Sequence, residues 1–190
     1  MEEIIVALGK WEEIRKNSME LNRLFANKKG FIVDMNTYAV GVNLHAYPAV
    51  RNNELYFIVI SEEFDVESER ETLSTHCHWV KCVNELPDVP EMPEIASLEN
   101  RVVDWQNNFQ EWVNETATID TGMYQVFNIP TNELESEQYS VCFSLKTDEE
   151  ANDLKVADLV LRSDSDVYFD TVRRAPPYFD GITYYLLALN

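Results

Sequence analysis

The sequence predicts an α+β fold: one domain over residues 1–190, a mostly antiparallel twisted sheet of about seven to nine strands, and two main helices, about 3–27 and 98–115, packed on one face. Three observations point there. Two long stretches place apolar residues at spacings of three and four, the period of an amphipathic helix. Between and after them run short segments rich in β-branched and aromatic residues, separated by turn formers. The length of 190 residues, 45% hydrophobic and 12% aromatic, supports one packed core and is short for two.

In the first helix, Ile4, Ala7, Leu8, Trp11, Ile14, Leu21, Leu24 and Phe25 form the apolar side, with Glu12, Glu13, Lys16 and Arg23 elsewhere. Asn17-Ser18 is its weak point. Lys28 and Lys29 complement the helix C-terminal dipole, and Gly30 suits a left-handed cap. Strands are then expected in FIVDM (31–35), TYAVGVN (37–43), NELYFIVIS (53–61) and THCHWVKCV (75–83). Tyr56 to Ile60 is apolar throughout, the mark of a strand buried on both faces. The second helix starts behind Ser97 as N-cap, with Leu98, Val102, Trp105, Phe109, Trp112 and Val113 as a stripe for the core. Further strands are expected in 121–129, 138–146, 156–162, 166–172 and 181–189. A short helix is expected from Thr147, where Thr147 and Glu150 fit a capping box.

The stretch ELPDVPEMPEIA (85–96) repeats in threes: acid, apolar residue, proline, with alanine in the last place. Polyproline II has three residues per turn, so Glu85, Asp88, Glu91 and Glu94 share one edge and Leu86, Val89, Met92 and Ile95 another. Three prolines at this spacing suit neither a helix nor a central strand. The segment is expected to be an extended strap, roughly 37 Å long, with its apolar edge on the body and its carboxylates in water.

Charge is the outlier. There are 15 Lys+Arg against 34 Asp+Glu, a net charge of −19. Residues 1–30 hold six basic and five acidic residues, which leaves nine against 29 for the other 160. Such a field repels phosphate backbones and anionic lipid and attracts cationic proteins, so neither nucleic acid nor membrane is expected as a partner. Residues 61–71 (SEEFDVESERE) place six acids in eleven positions with Arg70 as the only local counter-charge, and read as a solvated loop. The start MEEIIVALGKW lacks the charged n-region and apolar length of a signal peptide, and no run reaches a membrane span. Three cysteines, Cys77, Cys82 and Cys142, make no disulfide framework, so a cytoplasmic location is expected.

The most chemical segment is STHCHWVKC (74–82). On a strand His76 and His78 would share a face, and two histidines at i and i+2 can converge on a metal, with His45 as the only further histidine to recruit. Cys82 lies about 13 Å beyond His78 along such a strand, too far for the same ion. No recognised zinc spacing follows, so no metal and no cofactor is expected. Cys77 reads as an inert thiol, because its neighbouring histidines point to the opposite face. Asp164 and Asp166 mimic the start of a calcium loop but lack its glycine and closing glutamate, so a turn between strands is expected. Arg173 and Arg174 are expected to neutralise their own acidic surroundings. No phosphate-cradling or nucleophile-elbow motif occurs.

These readings favour a non-catalytic binding protein whose acidic surface meets a basic protein partner. The candidate contacts are Glu62, Glu63, Asp65, Glu67, Glu69 and Glu71 on the loop and Glu85, Asp88, Glu91 and Glu94 on the strap. An inhibitor or immunity-type protein covering a cationic target is one concrete version. The alternatives are a small-molecule or metal-assisted enzyme with a site around His45, His76 and His78, and a module that holds an apolar ligand between the sheet and the Trp105/Trp112 helix.

Overall fold

The computed structural model describes residues 1–39, 41–87, 97–116, 123–148, 154–175 and 184–189. The fold is α+β, as the periodicities predict. Among the described residues nine strands divide between two antiparallel sheets rather than lying in one. The first sheet is built from β1 (Gly30–Asp34), β6 (Gln138–Asp148), β7 (Leu154–Ser163) and β8 (Tyr168–Phe169), in that spatial order. The second has the order β4 (His78–Lys81), β3 (Glu54–Ser61), β2 (Leu44–Arg51), β5 (Val126–Ile129), β9 (Arg173–Ala175).

The sheets meet at Gly30. Lys29 N–H donates to the Val83 carbonyl (2.9 Å) and Val83 N–H to that of Gly30 (2.8 Å), joining the start of β1 to the end of β4. A Cβ at Gly30 would lie 1.9 Å from the Val141 carbonyl oxygen on β6, so only glycine permits this approach.

The helix expected over 3–27 is two helices, α1 (Glu2–Ile14) and α2 (Ser18–Phe25), parted at the weak point. The Asn17 side chain accepts from Met19 N–H (3.1 Å) and Glu20 N–H (3.2 Å), which satisfies two donors that an interior position would not leave open. Asn17→Ala is therefore expected to lower stability by about 1 kcal/mol. The test is the urea midpoint at unchanged slope; no movement would mean that packing alone starts α2.

Strand β3 is buried on both faces, as its unbroken apolar run requires. Leu55, Phe57 and Val59 enter the main core; Ile58 and Ile60 enter a second core beneath α1. In the main core Phe31 stacks on Phe57 (centroids 4.3 Å apart), and Phe25 meets Trp105, Phe109 and Phe143 at 5.2–5.4 Å. Trp105 and Phe109 come from α4 (Ser97–Thr116), the predicted stripe, which lies against β6. No helix among the described residues is long and apolar enough to cross a membrane.

Several expected elements differ. The strand expected at 37–43 begins instead at Leu44 and runs through Pro48. Among the described residues β2 pairs with β5 only over Leu44–Ala46, so beyond that point a proline displaces no ladder bond on that edge. The helix expected from Thr147 does not form at its start: Thr147 pairs with Lys155 inside the long β6–β7 hairpin, whose ladder satisfies the backbone that the capping box would have served. The C-terminal strand is replaced over Tyr185–Ala188 by a short helix. The strand expected at 75–83 is also divided, Leu73–His76 being helical and His78–Lys81 the strand. The turn expected around Asp164 and Asp166 is present between β7 and β8, with Arg162 bonded to Asp166. Of the strap, Glu85 is exposed and Leu86 buried, and Arg162 Nη1 donates to the Pro87 carbonyl (2.6 Å); residues 88–96, with Asp88, Glu91 and Glu94, lie outside the described residues.

Candidate functional site

The acidic segment connects β3 to its neighbour β4, and it is folded rather than loose. Two 3-10 turns, Glu62–Phe64 and Glu67–Glu69, lead into the short helix α3 (Leu73–His76). Backbone bonds close each turn: Asp65 N–H to the Glu62 carbonyl (3.2 Å), Arg70 N–H to that of Glu67 (3.1 Å), Thr72 N–H to that of Glu69 (3.0 Å). The Thr72 hydroxyl also donates to the Glu69 carboxylate (2.7 Å). Leu73 is fully buried and pins the far end. The Phe64 and His76 rings stack at 3.8 Å with 8° between planes, clasping the two ends of the segment together.

Asp65 corrects the sequence reading. It was expected on the acidic surface, yet it is 0% exposed. Its carboxylate takes three donors from three places: His45 Nδ1 at 2.6 Å, the Tyr47 hydroxyl, and the backbone N–H of Leu186 at 2.9 Å. His45 and Tyr47 stand two apart on β2 and so face the same way. A buried carboxylate persists only when its lone pairs are taken up in this manner. Burial, and next the Asp65 charge, push the Tyr47 hydroxyl well above its usual range, so it remains a donor. Asp65 is the buried peg of the acidic segment, and it also fastens α5 (Tyr185–Ala188) to the sheet.

His45 turns its Nδ1 to the Asp65 carboxylate. Its Nε2 is buried and has no partner among the described residues. An Asp–His pair with a bare Nε2 is the geometry of a general base. Here the imidazole is 0% exposed, and the Tyr184 ring lies 4.6 Å from it. A base must come within hydrogen-bond reach of its substrate proton, so the pair reads as structural.

The three histidines are not brought together. His45 is buried against Asp65, His76 stacks on Phe64, and His78, the first residue of β4, meets Tyr38 edge-on at 5.2 Å. The shared face expected for His76 and His78 fails because the chain turns from helix to strand between them. Among the described residues no three His, Cys, Asp or Glu side chains are grouped to hold a metal ion. Burial, and next His76, hold His78 below the usual imidazole range. The Cys77 thiol is pushed up to about 12 by burial and then by Asp65. At pH 8 its thiolate fraction is then about 10⁻⁴, so alkylation in the native protein is expected to be about a thousandfold slower than in the unfolded chain. Rapid labelling of Cys77 in the native state would contradict this placement.

Beneath Trp105, where an apolar ligand was considered, the side chains leave a cavity of about 10 Å³, room for one water at most. Arg174 lies over the Tyr124 ring at 5.3 Å.

What remains exposed is a ridge. Glu63, Glu67 and Glu71 are open to solvent, and Glu62 and Glu69 are half-buried. Elsewhere some acids pair with the few cations, Glu3 with Arg51, Glu12 with Arg15, Glu20 with Arg23, Glu54 with Lys81, Asp104 with Lys155, Asp170 with Arg101 and Lys146, while exposed Glu13, Glu111, Glu133, Glu135 and Glu137 are in no ion pair among the described residues. No ion pair among the described residues includes Glu62, Glu63, Glu67, Glu69 or Glu71. The segment 62–71 thus combines a rigid mount with uncompensated charge. A signal for its peg was present in the sequence: Asp65 alone in this run has apolar neighbours on both sides, Phe64 and Val66.

Comparison with known proteins finds no matching family model, no matching curated protein and no matching solved structure.

Proposed function

We propose that this chain is a non-catalytic interaction protein that presents the ridge of Glu62, Glu63, Glu67, Glu69 and Glu71 to a basic protein partner. The observation that carries the reading is the gathering of five acids, none in an ion pair among the described residues, on one short segment whose backbone is anchored through Asp65 and Leu73. Uncompensated surface charge raises the self-repulsion of the folded state, and a cationic surface docking there relieves it. A mount that is already ordered gives up little conformational freedom on binding, which favours affinity. Fields of this kind steer encounter and reject wrong partners more than they add raw affinity.

The experiment is capture from a lysate of the native host with the immobilised protein, in low salt and in about 1 M salt, where the Debye length shrinks to about 3 Å. Basic proteins retained only in low salt are expected. Acidic partners, or retention indifferent to salt, would count against the reading.

A further inference from the structure

A hollow of about 420 Å³ opens between the end of α2 and the middle of α4, within the range of small-ligand sites. Its floor is aromatic: Phe25, Trp105 and Phe109. Its walls are made of amides and two lysines. Asn22 and Asn27 stand on the α2 side, Asn107 and Gln110 on α4, and Lys28 and Lys29 on the rim. In a chain of net charge −19, no carboxylate is found among the described residues that line it.

The hollow is built, not incidental. Asn22 Nδ2 donates to Asn114 Oδ1 (3.2 Å), tying the two helices together. Asn27 takes a left-handed conformation (φ 60°) that turns the chain out of α2, and Lys28 N–H bonds back to the Phe25 carbonyl (2.9 Å). Lys29 is pinned on both sides of its backbone, donating to the Val83 carbonyl (2.9 Å) and accepting from Phe143 N–H (3.0 Å). Both lysines therefore spring from fixed points.

A second hollow, of about 600 Å³ between α4 and the β6–β7 hairpin, is a useful contrast. It also carries cations, but Arg101, Lys146 and Lys155 are each bonded to an aspartate. Among the described residues neither Lys28 nor Lys29 has an ion pair. Glu54, whose carboxyl feels the Lys28 charge, is itself bonded to Lys81.

We propose that the hollow between α2 and α4 binds a small hydroxylated organic anion, its charged group on Lys28 and Lys29 and its hydroxyls on the surrounding amides. Lysines hold a carboxylate or phosphate as point charges, and an amide both donates to and accepts from a hydroxyl. The aromatic floor suits one apolar face of such a ligand. The overall negative field slows the approach of an anion, but beyond about 8 Å it is screened at physiological ionic strength, so inside the hollow the two lysines decide.

The test is calorimetric titration of the full chain with glucuronate and with glucose 6-phosphate, using glucose as the uncharged control. Saturable binding of at least one anion is expected, with glucose at least about tenfold weaker, and the anion that binds tells carboxylate from phosphate. The Lys28→Gln/Lys29→Gln protein should lose at least about tenfold in affinity with an unchanged melting profile. Gln110→Glu, an exposed change on α4 that puts a carboxylate in the wall, should weaken binding comparably. No saturable binding of either anion below about 10 mM, equal binding of glucose, or wild-type affinity in both variants would overturn the proposal.

Discussion

Replacing Asp65 by alanine is expected to lower the unfolding free energy by about 3–5 kcal/mol, the cost of leaving several buried donors without their acceptor. Three donors lose their acceptor at once: His45 Nδ1, the Tyr47 hydroxyl and Leu186 N–H. None can turn to water, because Asp65, His45, Tyr47 and Leu186 are all fully buried. In a domain of this size the loss should lower the melting temperature by on the order of 10 °C. Asp65→Asn is the informative control. It keeps one acceptor oxygen, which in place of the oxygen shared by His45 and Tyr47 would still serve both, but it sets an N–H₂ against the Leu186 N–H, and it should recover only part of the loss. Urea unfolding of both variants decides the point. A loss under about 1 kcal/mol for Asp65→Ala would mean that the carboxylate is not the peg described.

Reversing the three exposed ridge acids, Glu63, Glu67 and Glu71 to lysine, is expected to slow association with a basic partner by about a hundredfold in low salt. Each side chain is solvent-facing and unpaired among the described residues, so stability should stay within about 0.5 kcal/mol of the parent. The effect belongs to long-range steering, so the two association rates should converge as salt rises and the Debye length falls below about 10 Å. Stopped-flow or surface kinetics across a salt series reads both features. A variant that associates as fast as the parent at every salt concentration would remove the ridge from the encounter. The Asp65 and ridge variants separate mount from surface, since one changes stability and the other changes rate.

Features that rest on local period and local chemistry were legible in the sequence. The α4 stripe, the two-sided burial of β3, the weak point at Asn17 and the turn around Asp164 and Asp166 all follow from side chains a few residues apart. Features settled by distant partners were not. Pro48 hides β2 from a propensity reading, and it is tolerated only because β5 pairs with a short part of that strand. Thr147 carries a helix-start pattern, and the ladder to Lys155 overrides it. The acidic run reads as solvated from charge alone, and that holds for Glu63, Glu67 and Glu71. It fails for Asp65, because three buried donors from β2 and α5 wait for one carboxylate, and Leu186 lies 121 residues away in the chain. The histidines misled for a related reason: face-sharing on a strand assumes a strand, and the chain around His76 is helical.

Whether the ridge meets a basic partner is decided by zero-length carbodiimide coupling, because the reagent joins a carboxylate only to an amine already in contact with it. The complex captured in low salt would be coupled, digested and its junctions mapped. Junctions from Glu63, Glu67 or Glu71 to lysines of the partner are expected, and their loss in the three-lysine variant. Junctions confined to other carboxylates, with the ridge untouched, would contradict it.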